Sequence, residues 1–144
     1  MHVLFIEDDP KDVELARIAL ARSGLTVGFA AVPDEEAATD YLLRRGEYAG
    51  RQPEPPAVIF LDLALHQARG SDLIATIRSH PGLAWLPIVM LTTSHSRADV
   101  AECYRRGANA YTIKPVGFAE YVAQLRQAVQ FWAGVNINIS SAGE

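Results

Sequence analysis

The sequence predicts an α/β domain in which helices cover both faces of a parallel five-stranded sheet. Short apolar runs rich in branched and aromatic residues recur along the chain, as is typical of strands buried on both faces of such a sheet. Amphipathic segments with helix-capping residues separate these runs, and this βα alternation implies right-handed crossovers. The predicted strands lie at residues 3–6, 27–32, 58–61, 87–91 and 110–113.

Capping residues mark where the predicted helices begin and end. Asp or Ser at the first position accepts hydrogen bonds from free amide groups, and a glycine ends a helix readily because it adopts positive φ at little cost. The five predicted helices begin at Pro10, Asp34, Gly70, Ser96 and Phe118 and end near Gly24, Arg45, Pro81, Gly107 and Trp132. The fifth helix carries a continuous apolar stripe at alternating four- and three-residue spacing, made of Phe118, Val122, Leu125, Val129 and Trp132.

Three segments depart from this alternation. The second strand is weaker than the others because its glycine and alanines pack little. Residues 46–56 hold two glycines and three prolines, which predict a loop before the third strand. Residues 135–139 alternate Val or Ile with Asn, which is typical of a half-buried strand at a sheet edge or across a neighbouring subunit; a partly ordered terminus is the alternative. We therefore divide the chain into a folded domain, residues 1–132, and a C-terminal tail, residues 133–144.

Composition argues against several classes of function. A chain of 144 residues can form one core. The net charge of −4 and the sequence pI near 5.5 argue against a nucleic-acid partner. No apolar run approaches the roughly 18 residues that span a bilayer, and the N-terminus lacks a signal-peptide pattern, so no membrane partner is expected. Cys103 is the single cysteine, so the chain has no disulfide framework and a cytoplasmic location is expected. We interpret Cys103 as a small apolar residue on a helix face.

Residues that can do chemistry follow four of the predicted strands. Glu7 and Asp8 follow the first strand, Asp62 the third, Thr92 the fourth and Lys114 the fifth. Ligands of open parallel sheets bind outside the carboxyl ends of the strands, so we expect these side chains to meet there. Carboxylates, a hydroxyl and an ammonium together suit a divalent cation and a phosphoryl group.

Mg²⁺ is the predicted metal. This hard cation prefers six oxygen ligands and takes only one or two carboxylates from most proteins. We expect Asp8 to bind it directly, Glu7 to reach it directly or through water, and Asp62 to complete the acidic set. The backbone carbonyl of Ala64 is expected to supply one further oxygen.

Asp62 is the predicted phosphoryl acceptor. A carboxylate that attacks phosphorus must be ionised, exposed and close to positive charge. Asp62 follows the most apolar strand, where a purely structural carboxylate would be poorly placed. We expect Lys114 to neutralise the transferring group and to pair with Asp62 when the site is empty. The Thr92 hydroxyl is expected to hydrogen-bond a phosphoryl oxygen.

The order of these residues along the chain, and their positions after successive apolar strands, make residues 1–132 resemble the receiver domain of two-component response regulators. The matching residues are Glu7, Asp8, Asp62, Gly70, Thr92 and Tyr111 through Lys114 and Pro115. The resemblance implies a flavodoxin-like, doubly wound (βα)5 sheet of strand order 2-1-3-4-5. It implies a signalling phosphoacceptor rather than an enzyme, which takes a phosphoryl group from a sensor histidine kinase in a Mg²⁺-dependent reaction and loses it slowly. It also implies that Thr92 and Tyr111 rearrange on phosphorylation, and that the Lys114–Pro115 bond is cis.

A finer resemblance connects the chain to small regulators partnered with bacterial phytochrome kinases. It rests on residues 10–13, residues 91–94, the long loop before the third strand and the pair Phe131-Trp132. A phosphorelay or orphan receiver serving a different kinase is the alternative. His66 stands where many receivers have a proline, and we interpret it as a solvated loop residue.

Other proteins that use a strand-end carboxylate or share the sheet order fit less well. Phosphatases of the haloacid dehalogenase type need a second acid two residues after the nucleophile, where this chain has Ala64. A flavodoxin needs a hydroxyl- and glycine-rich phosphate loop after the first strand, where the acidic residues 7–9 would repel a flavin phosphate. A degenerate receiver that binds a partner without phosphorylation stays open.

The output of this chain is expected to be binding rather than catalysis, because no DNA-binding or catalytic domain follows in the sequence. We predict a homodimer through helix four, strand five and helix five. These elements carry Tyr104, Tyr111 and Tyr121, and buried aromatic anchors suit an interface. The C-terminal tail is expected to contribute contacts to this dimer.

Overall fold

Five parallel strands form the central sheet of the computed structural model, which describes residues 1–139. The strands are β1 (His2–Ile6), β2 (Gly28–Val32), β3 (Val58–Leu61), β4 (Ile88–Thr92) and β5 (Ala110–Ile113). Their order, β2-β1-β3-β4-β5, confirms the order that the resemblance implied. The helices are α1 (Pro10–Arg22), α2 (Glu35–Leu43), α3 (Gly70–Ser79), α4 (Arg97–Arg106) and α5 (Phe118–Val129). None of the helices within residues 1–139 is long and apolar enough to cross a bilayer.

Alternate side chains of the buried strands supply two separate apolar cores. On β1, Leu4 and Ile6 pack into one core with α2, α3 and α4. Val3 and Phe5 point the other way and pack with α1 and α5. The same alternation runs through β3 and β4, since successive strand side chains point to opposite faces. The predicted burial of these strands on both faces is confirmed.

The predicted helix caps are confirmed for three helices. The side chain of Asp9 accepts a hydrogen bond from Lys11 N at 2.9 Å, and that of Asp34 accepts one from Ala37 N at 2.8 Å. Ser96 caps α4, which ends at Gly107 with φ of 114°. Helix α2 ends two residues earlier than expected, because Arg44 adopts the left-handed conformation that closes it.

The predicted apolar stripe of the fifth helix is only partly correct. The core-facing residues are Tyr121, Leu125 and Val129, at strict four-residue spacing. Phe118, assigned to the stripe, is 39% exposed at the start of the helix. Apolar residues occur on more than one side of α5, so their spacing alone did not identify the buried side. Tyr121 therefore belongs to the core and not to the proposed interface.

The long loop before β3 is ordered by one arginine. The Arg51 guanidinium lies 4.2 Å from the centre of the Tyr41 ring, and its Nε donates to the Tyr41 carbonyl oxygen at 3.0 Å. The same guanidinium donates to the carbonyl oxygens of Gln52 and Glu54. The loop is thereby fastened to the end of α2.

The described part of the tail, residues 133–139, adds no strand to the sheet of this chain. A π-helical segment, Gln130–Val135, extends α5, and residues 136–139 then form no strand. Val135, Ile137 and Ile139 are 69%, 76% and 66% exposed, so the predicted half-burial is absent within one chain. The remainder of the predicted tail, residues 140–144, lies outside the described residues.

Candidate functional site

The carboxyl ends of four strands bring the predicted site residues side by side. Backbone hydrogen bonds continue past the strand ends. Glu7 N donates to Val32 O at 3.0 Å, Asp62 N donates to Ile6 O at 3.2 Å, and Lys114 N donates to Thr92 O at 2.7 Å. This continuation of the ladder fixes the positions of the residues directly after β1, β3 and β5.

Glu7, Asp62 and Lys114 line one small cavity at this edge of the sheet. Asp12 from α1 also lines it, and its remaining walls are apolar, including Phe60, Leu91 and Tyr121. Three acidic groups and one ammonium therefore line the same cavity. The structure brings Glu7, Asp62 and Lys114 together, whereas the predicted site residues Asp8 and Thr92 do not line this cavity.

Glu7 is the most constrained acid of the site. Its side chain is buried, with Oε1 accepting a hydrogen bond from Asp9 N at 3.1 Å and Oε2 buried without a partner. Burial, followed by the close approach and negative charge of Asp62, raises the pKa of Glu7 to about 9. A divalent cation bound between the two carboxylates would satisfy Oε2 and remove the repulsion, so this pair fits the predicted metal.

Asp8 is oriented differently from the expected metal ligand. Its Oδ2 accepts a hydrogen bond from His66 N, and the His66 Nδ1 lies 3.4 Å from the same oxygen. Within residues 1–139, no group of three or more His, Cys, Asp or Glu is arranged to hold a metal ion. The structure therefore does not bring Asp8 together with Glu7 and Asp62 as a ligand set within residues 1–139. His66 is exposed as predicted, and it also contacts Asp8.

The predicted ion pair between Lys114 and Asp62 is not formed in the described part of the chain. Asp62 instead accepts a hydrogen bond from Ala64 N at 3.2 Å and contacts Glu7. The Lys114 charge still acts within the cavity, where it opposes the rise in the pKa of Glu7. The peptide bonds of residues 1–139 are all trans, so the expectation of a cis Lys114–Pro115 bond is wrong.

Gly70 allows the first turn of α3 to approach the predicted phosphoryl acceptor. Its N–H donates to Leu63 O at 2.8 Å. A Cβ at position 70 would lie 2.4 Å from the Asp62 carbonyl oxygen, which is far below ordinary van der Waals contact. The sequence match at Gly70 thus has a steric cause.

The two predicted switch residues are connected through Ser94. Thr92 is 2% exposed, and its hydroxyl oxygen accepts a long hydrogen bond of 3.5 Å from Ser94 N. The Tyr111 hydroxyl donates to Ser94 O at 3.0 Å. Sequence reasoning did not identify Ser94 as a functional residue, because its role depends on main-chain atoms that carry no sequence signal.

The sequence matches a family model and known proteins. The family described as "Response regulator receiver domain" matches residues 3–126. Response regulator Rcp1 of Synechocystis sp. is 31% identical over 130 residues, which cover 90% of this chain and 87% of that protein.

Similar solved structures include regulators of phytochrome signalling. The phosphorylated cyanobacterial phytochrome response regulator RcpA has a TM-score of 0.85 and 30% identity, covering 96% of this chain and 99% of that one. The bacteriophytochrome response regulator RtBRR has a TM-score of 0.75 and 41% identity, covering 95% of this chain and 84% of that one. The Mn²⁺-bound form of Rcp1 has a TM-score of 0.80 and 29% identity, covering 94% of this chain and 96% of that one.

Replacement of Gly70 by alanine is expected to lower the free energy of unfolding by about 2 kcal/mol, because overpacking of this kind costs roughly 1–3 kcal/mol. The added methyl group would displace the Asp62 main chain, so divalent-cation binding is expected to weaken as well. Urea unfolding measures the first effect, and Mn²⁺ titration followed by NMR line broadening measures the second. The control is Gly50→Ala, since no heavy atom lies within 4 Å of a Cβ at position 50. Equal stability of the two variants would contradict the steric argument.

Proposed function

Because the chain belongs to the response regulator receiver domain family, we propose that it accepts a phosphoryl group on Asp62 from a sensor histidine kinase. The observation that carries this proposal is the cavity that Glu7, Asp62 and Lys114 share at the carboxyl edge of the sheet. It combines a nucleophilic carboxylate, a fixed positive charge and acidic ligands for a cation. The protein would act as a signalling phosphoacceptor, whose output is a change of shape and not a released product.

The transfer itself is a substitution at phosphorus. A carboxylate oxygen of Asp62 attacks the phosphorus of the donor phosphohistidine, and an O–P bond forms as the P–N bond breaks. The electron pair of the broken bond stays on the donor imidazole, which then takes a proton from solvent. The Lys114 ammonium stabilises the charge on the transferring oxygens, and the Thr92 hydroxyl donates to one of them. Such reactions need positioning and charge neutralisation more than covalent help.

Mg²⁺ is the cofactor we propose for this site. Glu7, Asp8 and Asp62, with the carbonyl oxygen of Ala64, would hold it. When bound, it supplies positive charge to the nucleophile and the phosphoryl oxygens. The buried, unpartnered Oε2 of Glu7 supports a cation there, and the similar regulator Rcp1 has a solved Mn²⁺-bound form.

Incubation with acetyl phosphate and Mg²⁺ is expected to add the mass of one phosphoryl group to the intact chain. Asp62→Asn should prevent this gain, because an amide oxygen is a poor nucleophile toward phosphorus, and chelation of Mg²⁺ should also prevent it. Intact-protein mass spectrometry makes the measurement. Asp72→Asn is the matched control, since its side chain is 56% exposed on α3, and it should be phosphorylated normally. A gain that persists in Asp62→Asn would place the acceptor elsewhere.

The kinase we propose is a bacteriophytochrome. RcpA is a phytochrome response regulator and RtBRR is a bacteriophytochrome response regulator, and RtBRR is 41% identical to this chain. We propose that this chain and its kinase both act in the cytoplasm, a reducing compartment in which the buried Cys103 remains a free thiol.

Phosphotransfer from a panel of purified, radiolabelled histidine kinases of the host is expected to be fastest from its bacteriophytochrome. The initial rate of label transfer to wild-type protein is the measurement, and Asp62→Asn controls for transfer to other residues. A faster reaction with another kinase would favour the phosphorelay or orphan-receiver alternative.

A homodimer through α4, β5 and α5 is the proposed signalling assembly. Tyr104 on α4 is 49% exposed and Phe118 on α5 is 39% exposed, so both can contact a second copy. The tail adds Ile137 and Ile139, which are mostly exposed in one chain. Burial of such side chains against a partner is favourable, and a net charge of −4 gives no reason to propose nucleic acid instead.

Analytical ultracentrifugation of the full chain is expected to show a dimer, and the double variant Ile137→Ser, Ile139→Ser is expected to shift it toward monomer. The serines remove apolar area that only a partner can cover. Leu15→Ser is the control, because Leu15 is 38% exposed on α1, which is not one of the elements of the proposed face. A purely monomeric wild-type chain, with and without phosphorylation, would remove the dimer proposal.

A further inference from the structure

Arg69 joins the loop after Asp62 to the first turn of α4. It lies at the end of that loop, where Ala64 and Arg69 form an isolated antiparallel bridge. Its Nη2 donates to Asp99 Oδ1 at 2.7 Å, across 30 residues of sequence. The Arg69 side chain is 59% exposed and that of Asp99 is 26% exposed, so the pair lies at the surface above the site.

Asp99 is itself held by the loop between β4 and α4. Its Oδ2 accepts a hydrogen bond from Ser94 Oγ at 2.6 Å, and its backbone N–H donates to Ser96 Oγ at 3.3 Å. Ser96 N in turn donates to Ser94 Oγ at 3.3 Å. The Asp99 carboxylate also lies near the positive end of the α4 dipole, which favours its charge. Both carboxylate oxygens are therefore engaged, one by Arg69 and one by Ser94.

Ser94 completes a continuous path to the proposed switch residues. Its main-chain N–H contacts the Thr92 hydroxyl, and its carbonyl oxygen accepts from the Tyr111 hydroxyl. Its side chain contacts Asp99. A displacement of Asp99 therefore acts on Ser94, and through it on Thr92 and Tyr111.

We propose that Arg69 is a positioning residue that couples the loop after Asp62 to Tyr111 through Asp99 and Ser94. This inference rests on the proposed function of Asp62 as phosphoacceptor. Arg69 touches no reacting atom. A change of charge at Asp62 that moves its loop also moves Arg69, and the guanidinium transmits this movement to α4 through its charge-assisted hydrogen bond to the Asp99 carboxylate. Exposed ion pairs contribute little stability, so the loss of Arg69 leaves the fold intact while uncoupling the two loops.

The coupling is tested first in the unphosphorylated protein by NMR of the Ser94 amide and the Tyr111 ring. Arg69→Ala is expected to shift both resonances, Arg69→Lys to shift them less, and Asp99→Asn to reproduce the shift. In the Asp99→Asn background, Arg69→Ala is expected to cause little further shift of these resonances, because both variants remove the same contact between Arg69 and Asp99. Arg97→Ala is the matched control, since Arg97 is exposed on α4 and makes no ion pair within residues 1–139. Unchanged Ser94 and Tyr111 resonances in Arg69→Ala would overturn the proposal.

The second test adds acetyl phosphate and Mg²⁺ and measures phosphorylation and NMR response on the same samples. Arg69→Ala is expected to gain the same phosphoryl mass as wild type while losing most of the phosphorylation-induced shift of Tyr111. Arg97→Ala should keep that shift, and thermal unfolding should show that both variants are folded. If the phosphorylation-induced shift of Tyr111 in Arg69→Ala equals that in the wild-type protein, the proposed coupling through Arg69 is wrong. No mass gain in wild type contradicts the proposed function instead, and the first test still decides the role of Arg69.

Discussion

The electrostatic repulsion between Glu7 and Asp62 is the constraint on which this site depends. The two carboxylates follow adjacent parallel strands, and the fold brings them together in a largely apolar cavity. Bringing a buried carboxylate close to a second anion is costly unless a proton or a cation accompanies them. The raised pKa of Glu7 and its unpartnered oxygen reflect this cost. Lys114 and the Asp9 N–H oppose the rise in the pKa of Glu7, and Lys114 is also the cation that the proposed phosphoryl transfer would use.

The fold could be predicted from the sequence because most elements carry a strong local signal. The strands are short and mostly apolar, and Asp9, Asp34 and Ser96 cap helices as their chemistry suggests. The errors occurred where the local signal was ambiguous. On α5 apolar residues lie on several sides, so spacing could not separate the buried Tyr121 from the partly exposed Phe118. In the tail, the alternation of Asn with Val or Ile indicated a half-buried strand, but residues 135–139 pair with neither edge strand of the sheet, β2 or β5.

The site was predictable in composition but not in its contacts. Strand ends determined which residues meet, and Glu7, Asp62 and Lys114 do line one cavity. The partner of each side chain depends on loop geometry between segments distant in sequence. Asp8 contacts the main chain of His66, 58 residues away, and Thr92 and Tyr111 both contact main-chain atoms of Ser94. Such main-chain donors and acceptors exist at every residue, so sequence carries no record of which ones are used.

The separation of the two apolar cores by the sheet has a consequence for how such proteins diversify. Leu4 and Ile6 pack on one face and Val3 and Phe5 on the other, so a substitution in one layer needs no compensating substitution across the sheet. After a gene duplication, helices on the two faces can therefore drift independently. The polar residues Glu7, Asp62 and Lys114 follow the ends of the strands and belong to neither apolar core. Paralogues in one cell can thereby acquire different recognition surfaces while retaining the same chemistry at the carboxyl edge.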